Sequence, residues 1–260
     1  MNYKNDFLHV ALLASKLSGE YLLSKFQKIK KISNKTRNDI VTEVDVNSEK
    51  LILNIIGKKF PAHNILSEEI GEKNKSNSEY LWVIDPLDAT VNYVAGIPLF
   101  SVSIGLIKSG MPILGVVFAP YLNELFYASA GDGAFLNNKK ITVSKISELS
   151  KSIVNVGLSA HYNKRQIKDT WRINQAITPK LRGIRMFESG ALTSCYVACG
   201  RLEGKISIKT DPFGNAASTV IIQEANGLVS DFENKPWSLN MKDMICSNSL
   251  IHNKIIKIVK

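Results

Sequence analysis

The stretch WVIDPLDATVNYVAGIPLF, residues 82–100, runs apolar to Asp85, turns at Pro86 and presents a second carboxylate at Asp88, with Thr90 two positions later. A short apolar run bounded by turn residues reads as a buried strand. Ending that strand on two acids places both at the rim of a sheet, where loops build sites. Pro86 fixes the turn between them.

Working outward, NILSEE (64–69) is a second short strand that ends on acids, Glu68 and Glu69. GEKNKSNSEY (71–80) is polar and turn-rich and is expected as a loop. FSVSIGLIKSG, MPILGVVFAP and NELFYASA follow as strands punctuated by Gly110 and Pro120, an antiparallel meander. GDGAFLNNKKI (131–141) holds a single Gly-x-Gly, which fits a hairpin better than a nucleotide loop. At the start of the chain, Phe7, Val10, Ala11, Ala14, Leu17 and Tyr21 recur at helical spacing. Residues 5–29 are therefore expected as an amphipathic helix rather than a cleaved leader. NDIVTEVD (38–45) leads into a second helix over about 46–58, with Leu51, Leu53, Ile55 and Ile56 facing a core. Beyond 150, the strand SIVNVGLS (152–159), the helix NKRQIKDTWRINQAI, the segment GIRMF, a small-residue helix near 189–200, the strand GKISIK, the helix NAASTVIIQEANG (215–227) and the strand GLVSD follow one another, strands and helices alternating in blocks. The architecture implied is mixed α/β, with helices layered on sheets. An N-terminal α+β lobe over 1–150 would carry the acidic motif, and a C-terminal α/β lobe would span 151–260.

Composition narrows the classes of function. The chain has 260 residues, 45% hydrophobic and 22% charged, enough for a substantial core. Its formal net charge of +10 admits phosphorylated ligands, nucleic acid or an acidic surface as partners. The lysines are scattered, however, and clusters such as Lys28, Lys30 and Lys31 read as a solvated helix end. Three cysteines make no disulfide framework, which fits a reduced, cytoplasmic protein. Cys195 and Cys199 lie in a small-residue helix and read as packing, and His9, His63, His161 and His252 are dispersed without ligand spacing. No apolar run approaches the roughly 20 residues needed to cross a bilayer, so no membrane association is expected.

The acids carry the chemistry. Asp45, Glu68 with Glu69, Asp85 with Asp88, and Asp211 each follow a short β-type run or precede a turn or helix. Acids gathered on one rim repel unless cations neutralise them, and an oxygen-only cluster points to a hard ion, Mg²⁺ before Zn²⁺. The Leu87 carbonyl can add a ligand between the two carboxylates. Asp-Pro and Leu-Asp are also ordinary turn residues, and spacing alone does not separate these readings.

The pair EE at 68–69, then WVIDPLDATVNYVAGIPLFSVSIGL, GAFLNNKKI, CGRLEG and NAAS resemble, in order, the inositol monophosphatase family of Mg²⁺-dependent phosphatases. The resemblance runs from about residue 40 to 230 and is most specific at the Asp-Pro-Leu-Asp block. It implies a layered αβαβα sandwich of the sugar phosphatase type, usually a homodimer, hydrolysing phosphate monoesters of small polyols. It further implies that Glu68, Asp85 and the Leu87 carbonyl bind one Mg²⁺ and that Asp85 and Asp88 bridge to a second. Thr90, with Asp45, would orient the attacking water, and Asp88, Ala89, Thr90, Gly190 and Asp211 would contact substrate.

The chain also departs from that family. The phosphate turn is usually Asp-Gly-Thr-Thr, and here Ala89 replaces the glycine that would allow positive φ. The family's Trp-Asp-x-Ala-Ala falls on Phe213-Gly214-Asn215-Ala216-Ala217, so the second-lobe metal ligand is missing unless Asp211 serves through a shifted helix start. A substrate-binding acid upstream falls near Ser207. ESGAL (188–192) resembles Gly-Ser-Ala-Ala-Leu, with Glu188 in place of glycine. Two functions follow. One is a phosphate monoesterase, with inositol monophosphate the default and nucleotide 3′-phosphate or fructose bisphosphate open. The alternative is a family member of weakened catalysis that binds RNA or the transcription machinery.

Overall fold

The computed structural model describes residues 3–28, 32–34, 40–74, 76–157 and 162–260. Lys30, Lys31, His161, residues 38–39 before the second helix and residues 158–159 of the 152–159 strand lie outside the described residues. The helices are α1 (Tyr3–Lys25), α2 (Glu43–Lys59), α3 (Thr90–Val94), α4 (Lys164–Ile177), α5 (Gly190–Ala198), α6 (Pro212–Glu224) and α7 (His252–Val259). The strands are β1 (Ile32–Asn34), β2 (Ile40–Thr42), β3 (Asn64–Ser67), β4 (Gly71–Lys73), β5 (Tyr80–Asp88), β6 (Ser101–Lys108), β7 (Met111–Ala119), β8 (Glu124–Ser129), β9 (Gly133–Leu136), β10 (Lys139–Ile141), β11 (Ile153–Gly157), β12 (Gly183–Arg185), β13 (Gly204–Ser207), β14 (Leu228–Ser230) and β15 (Met244–Ser247).

Among the described residues, an eight-stranded sheet runs β10-β9-β8-β7-β6-β5-β3-β4, antiparallel except where β3 lies parallel to β5. A five-stranded sheet runs β12-β11-β13-β15-β14, and β1 pairs with β2 on its own. Helices α1 and α2 cover one face of the large sheet, α5 and α6 fill the space between the sheets, and α4 and α7 cover the outer face of the small sheet. The result is an αβαβα sandwich. Three apolar clusters cement it. Trp82, Ile84, Ile104 and Val116 face α1 and α2, Val83, Val117 and Phe126 face α6, and Val154, Val156 and Ile206 face α4 and α7. Because β5 to β7 are buried on both faces, they read as nearly continuous apolar runs although they pair antiparallel.

Helix α6 sits unusually close to the large sheet. Gly105 and Gly115 pair across β6 and β7. A Cβ on Gly115 would lie 2.0 Å from the Ala217 carbonyl oxygen, and one on Gly105 would lie 3.0 Å from the Ala217 nitrogen. Two glycines side by side therefore make the flat patch on which Ala216 and Ala217 rest, and this seating fixes the height of the α6 N-terminus above the rim of β5.

Several expectations need correction. Leu17 is 42% exposed, because the inward stripe of α1 passes through Ser18 and Leu22 instead, and Ser18 bonds to Ser48 across α2. Leu51 is exposed and Leu53 and Ile55 are half-buried, while Ile52, Ile56 and the polar Ser48 and Glu49 form the buried face of α2. The expected loop at 71–80 contains strand β4, an edge strand paired to β3. Helix α6 begins at Pro212 rather than 215, because Asp211 caps it and proline suits the first turn. Helix α7 was not anticipated.

Candidate active site

Asp85 and Asp88 differ by three residues, which on a regular strand would send their side chains to opposite faces. The partner strand explains why they do not. Asp85 pairs with Ser103 and Asp88 with Ser101, so β5 spends one residue more than β6 between those pairs, a β-bulge at Pro86-Leu87. Both carboxylates then face α6 and the second sheet. The bulged segment is tied down by Ser48 Oγ donating to the Pro86 carbonyl (2.8 Å) and the Leu87 N–H donating to Asp85 Oδ1 (3.1 Å).

These residues open onto a cavity of about 1140 Å³, lined among others by Glu68, Asp85, Leu87, Asp88, Ala89, Thr90, Gly190, Lys205, Ser207, Asp211 and Gly214. Glu68 follows β3, and its N–H donates to the Ile84 carbonyl (3.1 Å), which fixes it beside the end of β5. Its side chain hydrogen-bonds Asp85. Burial first, then the charges of Glu68, Asp88 and Asp211, raises the Asp85 carboxyl well above the usual carboxylate range. The turn carrying Glu68 is held by a residue that sequence reading missed. Glu49 of α2, 1% exposed, accepts hydrogen bonds from the Ser67 hydroxyl and from the N–H groups of Glu69 (3.1 Å) and Ile70 (3.2 Å).

Asp45 lies at the third position of α2. Its Oδ2 accepts from Thr42 N–H (2.8 Å) and Thr42 Oγ1 (2.5 Å), closing a capping box, while Oδ1 accepts from Thr90 Oγ1 (2.9 Å). Thr90 Oγ1 also lies 3.1 Å from the Leu87 carbonyl oxygen. Burial raises the Asp45 carboxyl, and the bonds from Thr42 and Thr90 oppose that shift. Ala89 caps α3 with φ 71° and ψ 53°, the left-handed conformation a glycine would take freely. Glu188, on the opposite wall, has φ 63° and is pushed up by burial. Two residues of the cavity wall thus keep the backbone shape of glycine without its freedom, at about 1–2 kcal/mol each.

Asp88 is engaged by the start of α5 and by β6. Its Oδ1 accepts from Gly190 N–H (2.9 Å), and its Oδ2 accepts from Ala191 N–H (3.1 Å), Ser101 Oγ (3.0 Å) and the Ser189 hydroxyl. Burial raises the Asp88 carboxyl, while Ser189, Ser101, Lys205 and Gly190 pull it back. Asp211 caps α6, its Oδ1 accepting from Phe213 N–H (3.0 Å) and Gly214 N–H (3.2 Å). It is near enough to Asp85 to raise that carboxyl further. Lys205 enters the cavity from β13, 6% exposed, with Nζ donating to the Gly190 carbonyl (2.7 Å) and Ser194 Oγ (3.1 Å). Its signal in the sequence was a lysine within the apolar strand GKISIK.

The donor set fits one hard cation better than two. Glu68 and Asp85 touch, and the Leu87 carbonyl lies on the same rim, all of them oxygen donors. Among the described residues, no group of three or more His, Cys, Asp or Glu is drawn together tightly enough to hold a metal as it stands. Asp88 is turned toward α5, and Gly214 contributes no side chain.

A sequence model of the inositol monophosphatase family matches residues 4–260. The fructose-1,6-bisphosphatase/inositol-1-monophosphatase of Thermotoga maritima is 36% identical over 98% of this chain and 96% of its own length. The putative Nus factor SuhB of Neisseria meningitidis serogroup B is 32% identical over 98% of each chain. Among solved structures, the inositol monophosphatase of Anabaena (Nostoc) superposes with a TM-score of 0.89 at 35% identity, covering 98% of this chain and 95% of that one.

Proposed function

The chain belongs to the inositol monophosphatase family of metal-dependent phosphate monoester hydrolases, and on that premise we propose that it removes phosphate from a small polyol or sugar, inositol monophosphate first, using Mg²⁺. The observation that carries this reading is the hydrogen bond from Thr90 Oγ1 to Asp45 Oδ1 beside the Glu68–Asp85 pair. Glu68, Asp85 and the Leu87 carbonyl would hold the ion, which supplies a polarised, acidified water and charge neutralisation for the phosphoryl oxygens.

The protein's own residues do the rest. A threonine hydroxyl that donates its one hydrogen to Asp45 keeps its lone pairs for a water molecule, so it holds that water by one hydrogen and leaves its oxygen directed at phosphorus. As the water loses its proton, Thr90 and Asp45 form the path that receives it. Burial raises the proton affinity of Asp45, which suits this role. Phosphate oxygens lie against the start of α3 at Ala89 and Thr90. Asp88, Gly190 and Asp211 line the side where the alcohol leaves. Two lobes, 1–150 and 151–260, a homodimer and a cytoplasmic setting belong to the same proposal. No helix among the described residues is long and apolar enough to cross a membrane.

The experiment is phosphate release from inositol 1-phosphate, fructose 1,6-bisphosphate and a nucleotide 3′-phosphate, with Mg²⁺ and with chelator. Turnover that requires Mg²⁺ is the expected result, and the preferred ester names the substrate. No release from any ester by the folded, Mg²⁺-saturated protein would overturn the reading.

A second reading has support of its own. The +10 charge and the relationship to a putative Nus factor favour contact with RNA or the transcription machinery. Binding of that kind would weaken steeply with salt and would survive Thr90→Val, so filter binding of RNA by both proteins at two salt concentrations separates it from catalysis.

A further inference from the structure

One wall of the cavity is built differently from the rest. A Cβ on Gly214 would lie 3.9 Å from Asp88 Oδ1, 4.0 Å from Asp85 Oδ2 and 3.6 Å from Ala191 N. Position 214 therefore aims between the two carboxylates, at the point from which a side chain would complete a second cation site, and it carries none. Asp211, one turn earlier, already accepts two N–H groups of α6 through Oδ1. Asp88 accepts from Gly190 N–H, Ala191 N–H, Ser101 and Ser189. A carboxylate with so many donors is poorly disposed to bridge two metals.

The charge on that wall comes from elsewhere. Lys205 is buried in the cavity wall and bonds to Gly190 O and Ser194 Oγ. Its Nζ and Asp88 Oδ1 are each 3.7 Å from the point where a Gly190 Cβ would stand, so ammonium and carboxylate flank the same glycine. Lysine is almost never this buried unless an anion or a set of acceptors compensates the loss of water. Here the compensation is the acidic rim together with the acceptors of α5. A fixed ammonium in this place opposes entry of a divalent cation, since two positive charges a few ångströms apart in a half-buried site repel strongly.

We propose that the Lys205 ammonium stands in for a second divalent cation beside Asp88, so that this chain holds a single metal ion, at Glu68, Asp85 and the Leu87 carbonyl. The proposal rests on the metal-dependent phosphatase reading and adds to it the number of ions and the residue that replaces one of them. Lys205 does this through charge and position, with no bond made or broken at its nitrogen.

Titration of the whole chain with Mn²⁺, reading free ion by electron paramagnetic resonance, counts the sites without any turnover. The wild type is expected to take up one Mn²⁺, Gly214→Asp alone to stay at one, and Gly214→Asp with Lys205→Met to take up two. Circular dichroism and a thermal melt establish that each variant is folded. Two ions in the wild type would overturn the proposal while leaving the phosphatase reading in place, and that count decides the matter even if the double variant does not fold. A folded double variant that stays at one ion would also overturn it, since removing the ammonium and supplying a ligand would then open no site. No ion in the wild type would overturn the phosphatase reading itself.

Discussion

Gly115 on β7 and Ala217 on α6 approach so closely that a Cβ on the glycine would stand 2.0 Å from the alanine carbonyl oxygen. The contact is backbone against backbone, so no rotamer change relieves it. Since α6 carries Asp211 and Gly214 at its start, the seating of this helix sets the depth of the cavity's second wall. Gly115→Ala is expected to cost about 2–3 kcal/mol, the upper range for overpacking. Denaturant midpoints for the two proteins check this, and an unchanged midpoint would mean that the helix has room to move.

Asp88→Asn is expected to be a structural lesion as well as a functional one. The amide would turn a donor toward at least one of the groups that now donate to the carboxylate, the N–H groups of Gly190 and Ala191 and the hydroxyls of Ser101 and Ser189. Loss of charged hydrogen bonds of this kind costs about 1.5–3 kcal/mol each, so a stability loss of about 3 kcal/mol is expected. A melt by circular dichroism reads it directly. A variant as stable as the wild type would show that α5 does not depend on this carboxylate.

How much of this was legible in the sequence depends on how far apart the partners lie. Asp85, Asp88 and Glu68 announced themselves, because each ends an apolar run and the strand rule places run ends at a rim. The helix boundary at Pro212 was missed by three residues, because proline and glycine after Asp211 read as loop until the aspartate is seen to cap. The bulge at Pro86-Leu87 was invisible, since it is defined by Ser101 and Ser103 on the neighbouring strand. Nothing in the sequence sets Glu49 apart from other acids on a helix, and only the fold brings Ser67 and the 69–70 turn to it. Lys205 was overlooked for the same reason. Its neighbours Gly190 and Ser194 lie on a separate helix, and its electrostatic partner Asp88 is more than a hundred residues away. Ala89 is the reverse case. It stands where a glycine would allow positive φ, and the loop keeps the positive φ while the alanine bears the strain.

Stability of the metal-free protein is expected to fall as pH rises from about 4 toward neutrality. The folded Asp85 carboxyl is raised well above 3.8 by burial and by the neighbouring acids, so across that interval the native state keeps a proton that the unfolded chain has released. The native state then binds more protons than the unfolded state, and unfolding free energy decreases with pH until the folded carboxyl also ionises. In Asp85→Asn this dependence should be shallower. Adding Mg²⁺ to the wild type should restore the lost stability at the upper end of the range, because the ion binds the folded, ionised form. Melts at pH 5 and pH 8, with chelator for both proteins and with Mg²⁺ for the wild type, test all three expectations. Equal slopes in the two proteins would show that the pH dependence arises elsewhere.

The most direct test of the account is the steady-state rate of Asp45→Asn and Thr90→Val on the preferred phosphate ester at saturating Mg²⁺. If these two residues hold the attacking water and take its proton, kcat should drop by about 10²–10⁴-fold, the range for general-base assistance, with KM changed only a few-fold. The double variant should be little worse than either single one, since the two act through the same bond. Turnover near the wild-type rate in either single variant would contradict the claim that the Asp45–Thr90 pair prepares the nucleophile.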